Sequence, residues 1–123
     1  MQSRHLDRHR YFMEEAATTE KYFIPYLSRF IATDHISVLE VGCGEGGNLL
    51  PFAHRGCRVT GVDMSELRIR QAQAYFKEEN VAAEFVCSDI LNYDCPNGYF
   101  DLIIMHDVVE HVLDSRPLKS LLL

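Results

Sequence analysis

The chain has 123 residues, with 12 Lys and Arg against 18 Asp and Glu and a formal net charge of −6. That length allows one domain, and 47% hydrophobic residues is the share of an ordinary globular chain. The acidic balance argues against nucleic acid as a partner, no apolar run approaches the ~20 residues of a membrane span, and no signal-peptide pattern opens the sequence.

The first ten residues, with Arg4, His5, Arg8, His9 and Arg10, read as a polar, frayed start. His5 and His9 are spaced to share a helix face as metal ligands, but a solvated basic end is the simpler reading, and no metal site is expected. From Tyr11 to Ile24 the apolar positions Phe12, Ala16, Tyr22 and Phe23 allow a helix. Pro25 either breaks it or opens a second helix running to about Ile31. Tyr11 is the aromatic placed to close over a ligand. Residues 1–35 are thus expected to form a helical segment ahead of an α/β domain over residues 36–123.

That domain opens on Ile36-Ser37-Val38-Leu39-Glu40-Val41, a buried strand by composition. The strand runs into Gly42, Gly44, Gly46 and Gly47 and then into the helix-like segment Asn48–Ala53. Strand, glycine turn and helix bring backbone N–H groups up to a ligand with no Cβ in the way. Gly56 ends the helix, and Cys57–Asp63 reads as a second strand. Ser65 caps a helix from Leu67 to about Glu79, with Glu66 in its first turn and Asn80 as its stop. Ala82–Cys87 is a third strand, followed by Ser88-Asp89. A polar loop, residues 92–98, leads to a fourth strand, Phe100–Met105, then His106-Asp107 and an incipient helix over residues 108–113. This alternation predicts a Rossmann-like parallel sheet with helices on both faces. The four cysteines, Cys43, Cys57, Cys87 and Cys95, show no C-x-x-C pairing. Reduced thiols in a cytoplasmic protein are expected, not structural zinc.

Ligands of such sheets bind beyond the carboxyl ends of the strands. Every predicted strand ends there in a polar residue: Glu40, Asp63, Asp89 and His106. Asp63 lies 19 residues after Gly44, where the ribose-binding acid of a nucleotide site is expected. A carboxylate accepts from two vicinal hydroxyls, and Asp89 is placed to accept from an adenine amino group. Met64 and Ile90, each following its acid, can sandwich the base. Taken singly, Asp63 could cap a helix and Asp89 could hold a turn.

Two cofactor classes use such a turn. Gly42, Gly44 and Gly47 fit the dinucleotide fingerprint, whereas Gly42, Gly44 and Gly46 fit the glycine pattern of S-adenosylmethionine (SAM) sites. Glu40 separates them, since its carboxylate would repel a pyrophosphate and suits a ligand carrying a sulfonium and an ammonium. The pattern Leu39-Glu40-Val41-Gly42-Cys43-Gly44-Glu45-Gly46 resembles motif I of the class I SAM-dependent methyltransferases. The segment from Phe100 to Val112, with Glu110-His111 after the fourth strand, resembles the small-molecule branch that includes ubiquinone and menaquinone biosynthesis methyltransferases. The Asn/Asp-Pro-Pro-aromatic motif of enzymes that methylate DNA bases is absent, and His106-Asp107-Val108-Val109 stands in its place.

The resemblance implies that Glu40, Gly42, Cys43 and Gly44 meet the methionine part of SAM or hold the turn around it. It further implies that Asp63 takes the ribose, Asp89 the adenine, and that His106 borders the methyl. S-adenosylhomocysteine (SAH) is the implied product. His106, Glu110 and His111 are candidate bases, needed only where the acceptor must lose a proton. The family's fold is seven-stranded in the order 3-2-1-4-5-7-6, and this sequence supplies about its first four strands. A C-terminally truncated chain is therefore expected, possessing an apolar fourth-strand edge that a second copy would cover as a homodimer. The competing readings are an NAD-binding oxidoreductase half-domain and an interaction module that keeps the fold without turnover.

Overall fold

The computed structural model describes residues 7–94 and 99–105. Four strands, β1 (Ser37–Val41), β2 (Arg58–Asp63), β3 (Glu84–Cys87) and β4 (Leu102–Met105), form one parallel sheet in the order β3-β2-β1-β4. That is the opening of the implied order 3-2-1-4. Register brings the strands level at their carboxyl ends: Val41 pairs with Val62 and with Met105, and Asp63 pairs with Cys87.

The side on which each connection passes follows from chain direction. The steps from β1 to β2 and from β2 to β3 move the same way across the sheet, so right-handed crossovers put both on one face. There α3 (Leu50–His54) and α4 (Glu66–Glu78) pack with α1 (Arg8–Thr18) over Val38, Val59 and Ile104, and the cluster includes Phe12, Leu49, Phe52, Ile69 and Phe76. The step from β3 to β4 reverses direction and must cross the other face. Ile90, in a 3₁₀ turn (Ile90–Asn92), Tyr93 and Phe100 accordingly pack on Leu39, Val41 and Val62.

Local chemistry sets the boundaries. Ser65 caps α4, its hydroxyl accepting from the Arg68 N–H at 3.2 Å, and Asn80 ends the helix with φ +61°. Ile69, Ala72 and Phe76 form the buried stripe of α4, each large side chain contributing roughly 1.5–3 kcal/mol of burial. Gly56 leaves α3 at φ +78°, where a Cβ would lie 2.7 Å from the His35 ring.

The amino-terminal region departs from expectation. Helix α1 begins at Arg8, inside the stretch read as frayed, because Phe12 and Ala16 dock into the core and Arg8 finds a buried partner. Beyond α1 comes a widened π turn (Thr19–Phe23) and then the short α2 (Ile24–Leu27), not an unbroken helix to Ile24 and a second to Ile31. Pro25 supplies the reason: it has no N–H, and its ring would collide with the carbonyl four residues back. The Ile24 N–H bonds instead to the Thr19 carbonyl, five residues back. Phe12 and Ile24 share one cluster with the sheet, so this helical segment is part of the same core.

Candidate functional site

The site is built on the turn after β1. Gly42, Gly44 and Gly46 have φ of +73°, +56° and +85°, conformations that only glycine adopts without strain. Their surroundings differ. No atom lies within 4 Å of where a Gly44 Cβ would stand, so open space meets the backbone there. At Gly46 a Cβ would press on Phe76 and Phe85, and at Gly47 it would lie 2.7 Å from the Phe12 carbonyl oxygen of α1. Thus Gly44 is bare toward open space, whereas Gly46 and Gly47 are bare for packing.

The strand-end acids gather around this turn in distinct ways. The Asp63 carboxylate accepts from the Gly44 N–H at 2.9 Å and from the Ser65 N–H at 2.8 Å, tying β2 to the turn. Two further lone-pair positions remain on it for a ligand. Asp89 follows Ser88, whose N–H donates to the Asp63 carbonyl at 3.0 Å, so the ends of β2 and β3 are joined. Its own carboxylate accepts from the Leu91 N–H at 3.0 Å and opens the 3₁₀ turn. Both local roles, turn and helix entry, are therefore present alongside the shared rim.

Glu40 points into the helix-covered face and is only 2% exposed. The Asn48 amide donates to it at 2.8 Å, and the Thr19 hydroxyl donates to Asn48 at 2.6 Å. This buried relay runs from the π turn to β1 beneath the glycines, and neither Asn48 nor Thr19 stood out in the sequence. The Cys43 thiol also turns inward: a Cβ on Gly61 would lie 2.6 Å from its sulfur. Burial pushes that thiol well above its ordinary pKa, with the charges of Glu40 and Asp63 adding to the effect. A thiol so protonated is a packing group and no nucleophile. Gly42 and Cys43 both donate their N–H to the Val62 carbonyl, at 2.7 and 3.1 Å. Met64 is 73% exposed, and Ile90 is half-buried against the second face. His106, Glu110 and His111 lie outside the described residues.

One further pair escaped the sequence reading. Glu45, in the middle of the turn, is 3% exposed and receives both prongs of the Arg8 guanidinium, at 2.7 and 2.6 Å. Those residues are 37 apart, a separation that no local pattern reveals. The Tyr11 ring lies under the Arg8 guanidinium at 4.9 Å. His9 packs against Tyr75, ring centroids 5.0 Å apart, and His5 is outside the described residues.

Residues 38–122 match the family model described as a methyltransferase domain. The chain belongs to this methyltransferase family. Over 79 residues it is 34% identical to the ubiquinone biosynthesis O-methyltransferase of Bradyrhizobium diazoefficiens, an overlap of 64% of this chain and 31% of that protein. The corresponding enzyme of Rickettsia akari is 36% identical over 77 residues, 63% of this chain and 30% of its own. The methyltransferase chain thus spans about a third of the length of these curated relatives. Among solved structures it is similar to magnesium protoporphyrin IX methyltransferase of Synechocystis PCC 6803 with bound SAM, at 25% identity and a TM-score of 0.65, covering 78% of this chain and 46% of that one. These likenesses agree with the small-molecule branch read from the sequence. They lend no support to an NAD-binding half-domain or to a fold kept for interaction alone.

Proposed function

We propose that this chain is the SAM-binding part of a methyltransferase acting on a small-molecule acceptor, with a hydroxyl oxygen as the methylated atom. One observation carries the reading: a bare backbone at Gly44, opening on free space, shares a hydrogen bond with the acid that ends β2, next to the acid that follows β3. In this reading Gly42, Cys43 and Gly44 present backbone to the methionine part, and Glu40 supports the turn from beneath through Asn48. Asp63 accepts from the ribose hydroxyls, Asp89 from the adenine amino group, and Met64 and Ile90 flank the base. His106 borders the methyl. The donor set suits the group, since the Asp63 and Asp89 carboxylates can accept from hydroxyls and an amino group, where a pyrophosphate would be repelled. Bound here, SAM supplies a methyl activated on a sulfonium. The protein's part is then to hold the acceptor in line and exclude water. A hydroxyl acceptor must also lose its proton, which gives His106 a task as base.

The similarity to two ubiquinone O-methyltransferases and to a SAM-bound neighbour supports both the cofactor and the acceptor class. Residues 1–35 serve in this reading as a helical cover and residues 36–123 as the cofactor domain. The described cysteines Cys43, Cys57 and Cys87 are unpaired, which suits a reducing compartment such as the cytoplasm. No helix among the described residues is long and apolar enough to cross a membrane. Among those residues β4 pairs only with β1, so its other edge is where a second copy would join as a homodimer.

Amide chemical-shift mapping with SAH tests the site. Shifts should centre on Gly42, Gly44, Asp63, Met64, Asp89 and Ile90. A depression of about 650 Å³ lies at the opposite, amino end of the strands, lined by Ser37, Arg58 and Glu84 among others. Shifts confined to that end would overturn the reading.

A further inference from the structure

Among polar contacts between the helical segment and the glycine turn, the Arg8–Glu45 pair is the most committed. Glu45 is a carboxylate at 3% exposure, set between two glycines with positive φ. A buried carboxylate without a partner is strongly unfavourable, so the conformation of this turn depends on whatever neutralises Glu45. Arg8 does so with a two-pronged fork, and Glu45 in turn raises the Arg8 pKa through that hydrogen bonding. Tyr11 beneath the guanidinium fixes its plane. Gly47 lets α1 sit directly on the turn, where any Cβ would meet the Phe12 carbonyl and the Glu15 side chain. The turn is therefore held from two sides: by Asp63 at the Gly44 N–H and by Arg8 at Glu45.

We propose that Arg8 is a positioning residue for the cofactor turn, acting through Glu45, so that α1 belongs to the adenosyl-ligand site and docking of the helix is coupled to binding of the ligand. This rests on the adenosyl-binding reading above. If Arg8 is withdrawn, Glu45 must either take up a proton or reach water, and reaching water opens the turn that presents Gly44. Ligand then binds only the fraction of molecules with the turn closed, and the apparent affinity falls by that fraction. By reciprocity, bound ligand must tighten α1.

The test uses the 123-residue chain, wild type against Arg8→Met and Arg8→Lys. Lys keeps the charge but loses the fork, so it guards against a Met variant that fails to fold. Two readouts are needed: amide hydrogen exchange over residues 42–47 without ligand, and calorimetric SAH affinity. We expect exchange at the turn to rise at least tenfold in Arg8→Met and severalfold in Arg8→Lys. SAH affinity should fall about tenfold or more and severalfold in the same order, while exchange in the core of α4 stays as in wild type. SAH should also slow exchange across residues 8–16 of the wild type, and less so in Arg8→Lys. Unchanged turn exchange and unchanged SAH affinity in a folded Arg8→Lys would overturn the proposal. A wild type that does not bind SAH would sink the adenosyl reading instead, and turn exchange without ligand would still decide whether Arg8 holds the turn.

Discussion

Gly44 and Gly61 lack a Cβ for opposite reasons, and substitution separates them. At Gly44 alanine meets no neighbour but must take φ +56°, which costs roughly 1–2 kcal/mol for a residue with a side chain. Its methyl would project into the open space where the ligand is proposed to lie, so Gly44→Ala should unfold at slightly lower urea and lose SAH affinity by about tenfold or more, the equivalent of ~1.4 kcal/mol. At Gly61 a Cβ would lie 2.6 Å from the Cys43 sulfur and 2.9 Å from the Phe85 ring. Overpacking of that kind costs about 1–3 kcal/mol, so Gly61→Ala should show its whole effect in urea unfolding. Cys43 makes a pH prediction. Its folded-state pKa is raised by burial, so the native chain keeps a proton that the unfolded chain releases. The resulting stability is complete below the ordinary thiol range and is lost progressively as pH rises from that range toward the raised folded-state value. Cys57 is shifted the same way by its burial and adds to the trend. Urea midpoints should therefore decline from about pH 8 to 10, and Cys43→Ala should flatten the decline. No decline in wild type would contradict the buried-thiol account.

At the scale of elements, legibility tracked how local the governing physics is. Helix α4 was readable because cap, first-turn acid and stop all lie within its own sequence: Ser65, Glu66 and Asn80. Ser65→Ala should cost about 1 kcal/mol, measured by urea unfolding, since one cap hydrogen bond is lost. The strands were readable because apolar runs mark them, and their order, β3-β2-β1-β4, is the one the family resemblance implied. The start of α1 was not. Arg8 and His9 look like solvent-facing residues until Glu45 and Tyr75, far along the chain, are folded against them. The π turn before Pro25 was half legible, in that proline announced an interruption without saying how the carbonyls would be satisfied. The site divided along the same line. Asp63 and Gly44 were placed by spacing, whereas the Thr19–Asn48–Glu40 relay depends on tertiary contact alone.

At the scale of the whole molecule, all described helices but the 3₁₀ turn lie on one side of the sheet, with a thinner cover of Ile90, Tyr93 and Phe100 on the other. In the proposed homodimer two β4 edges, which among the described residues pair with β1 alone, would meet about a twofold axis in a closed arrangement. Sedimentation equilibrium should report twice the mass of the chain, and a monomer at high micromolar concentration would rule that out. The turn, Asp63 and Asp89 are proposed together to form an adenosyl site. Calorimetry with SAH and NADH in parallel tests it most directly. SAH should bind saturably at one site per chain and NADH not at all at the same concentrations; binding of NADH in preference to SAH would rule the adenosyl site out.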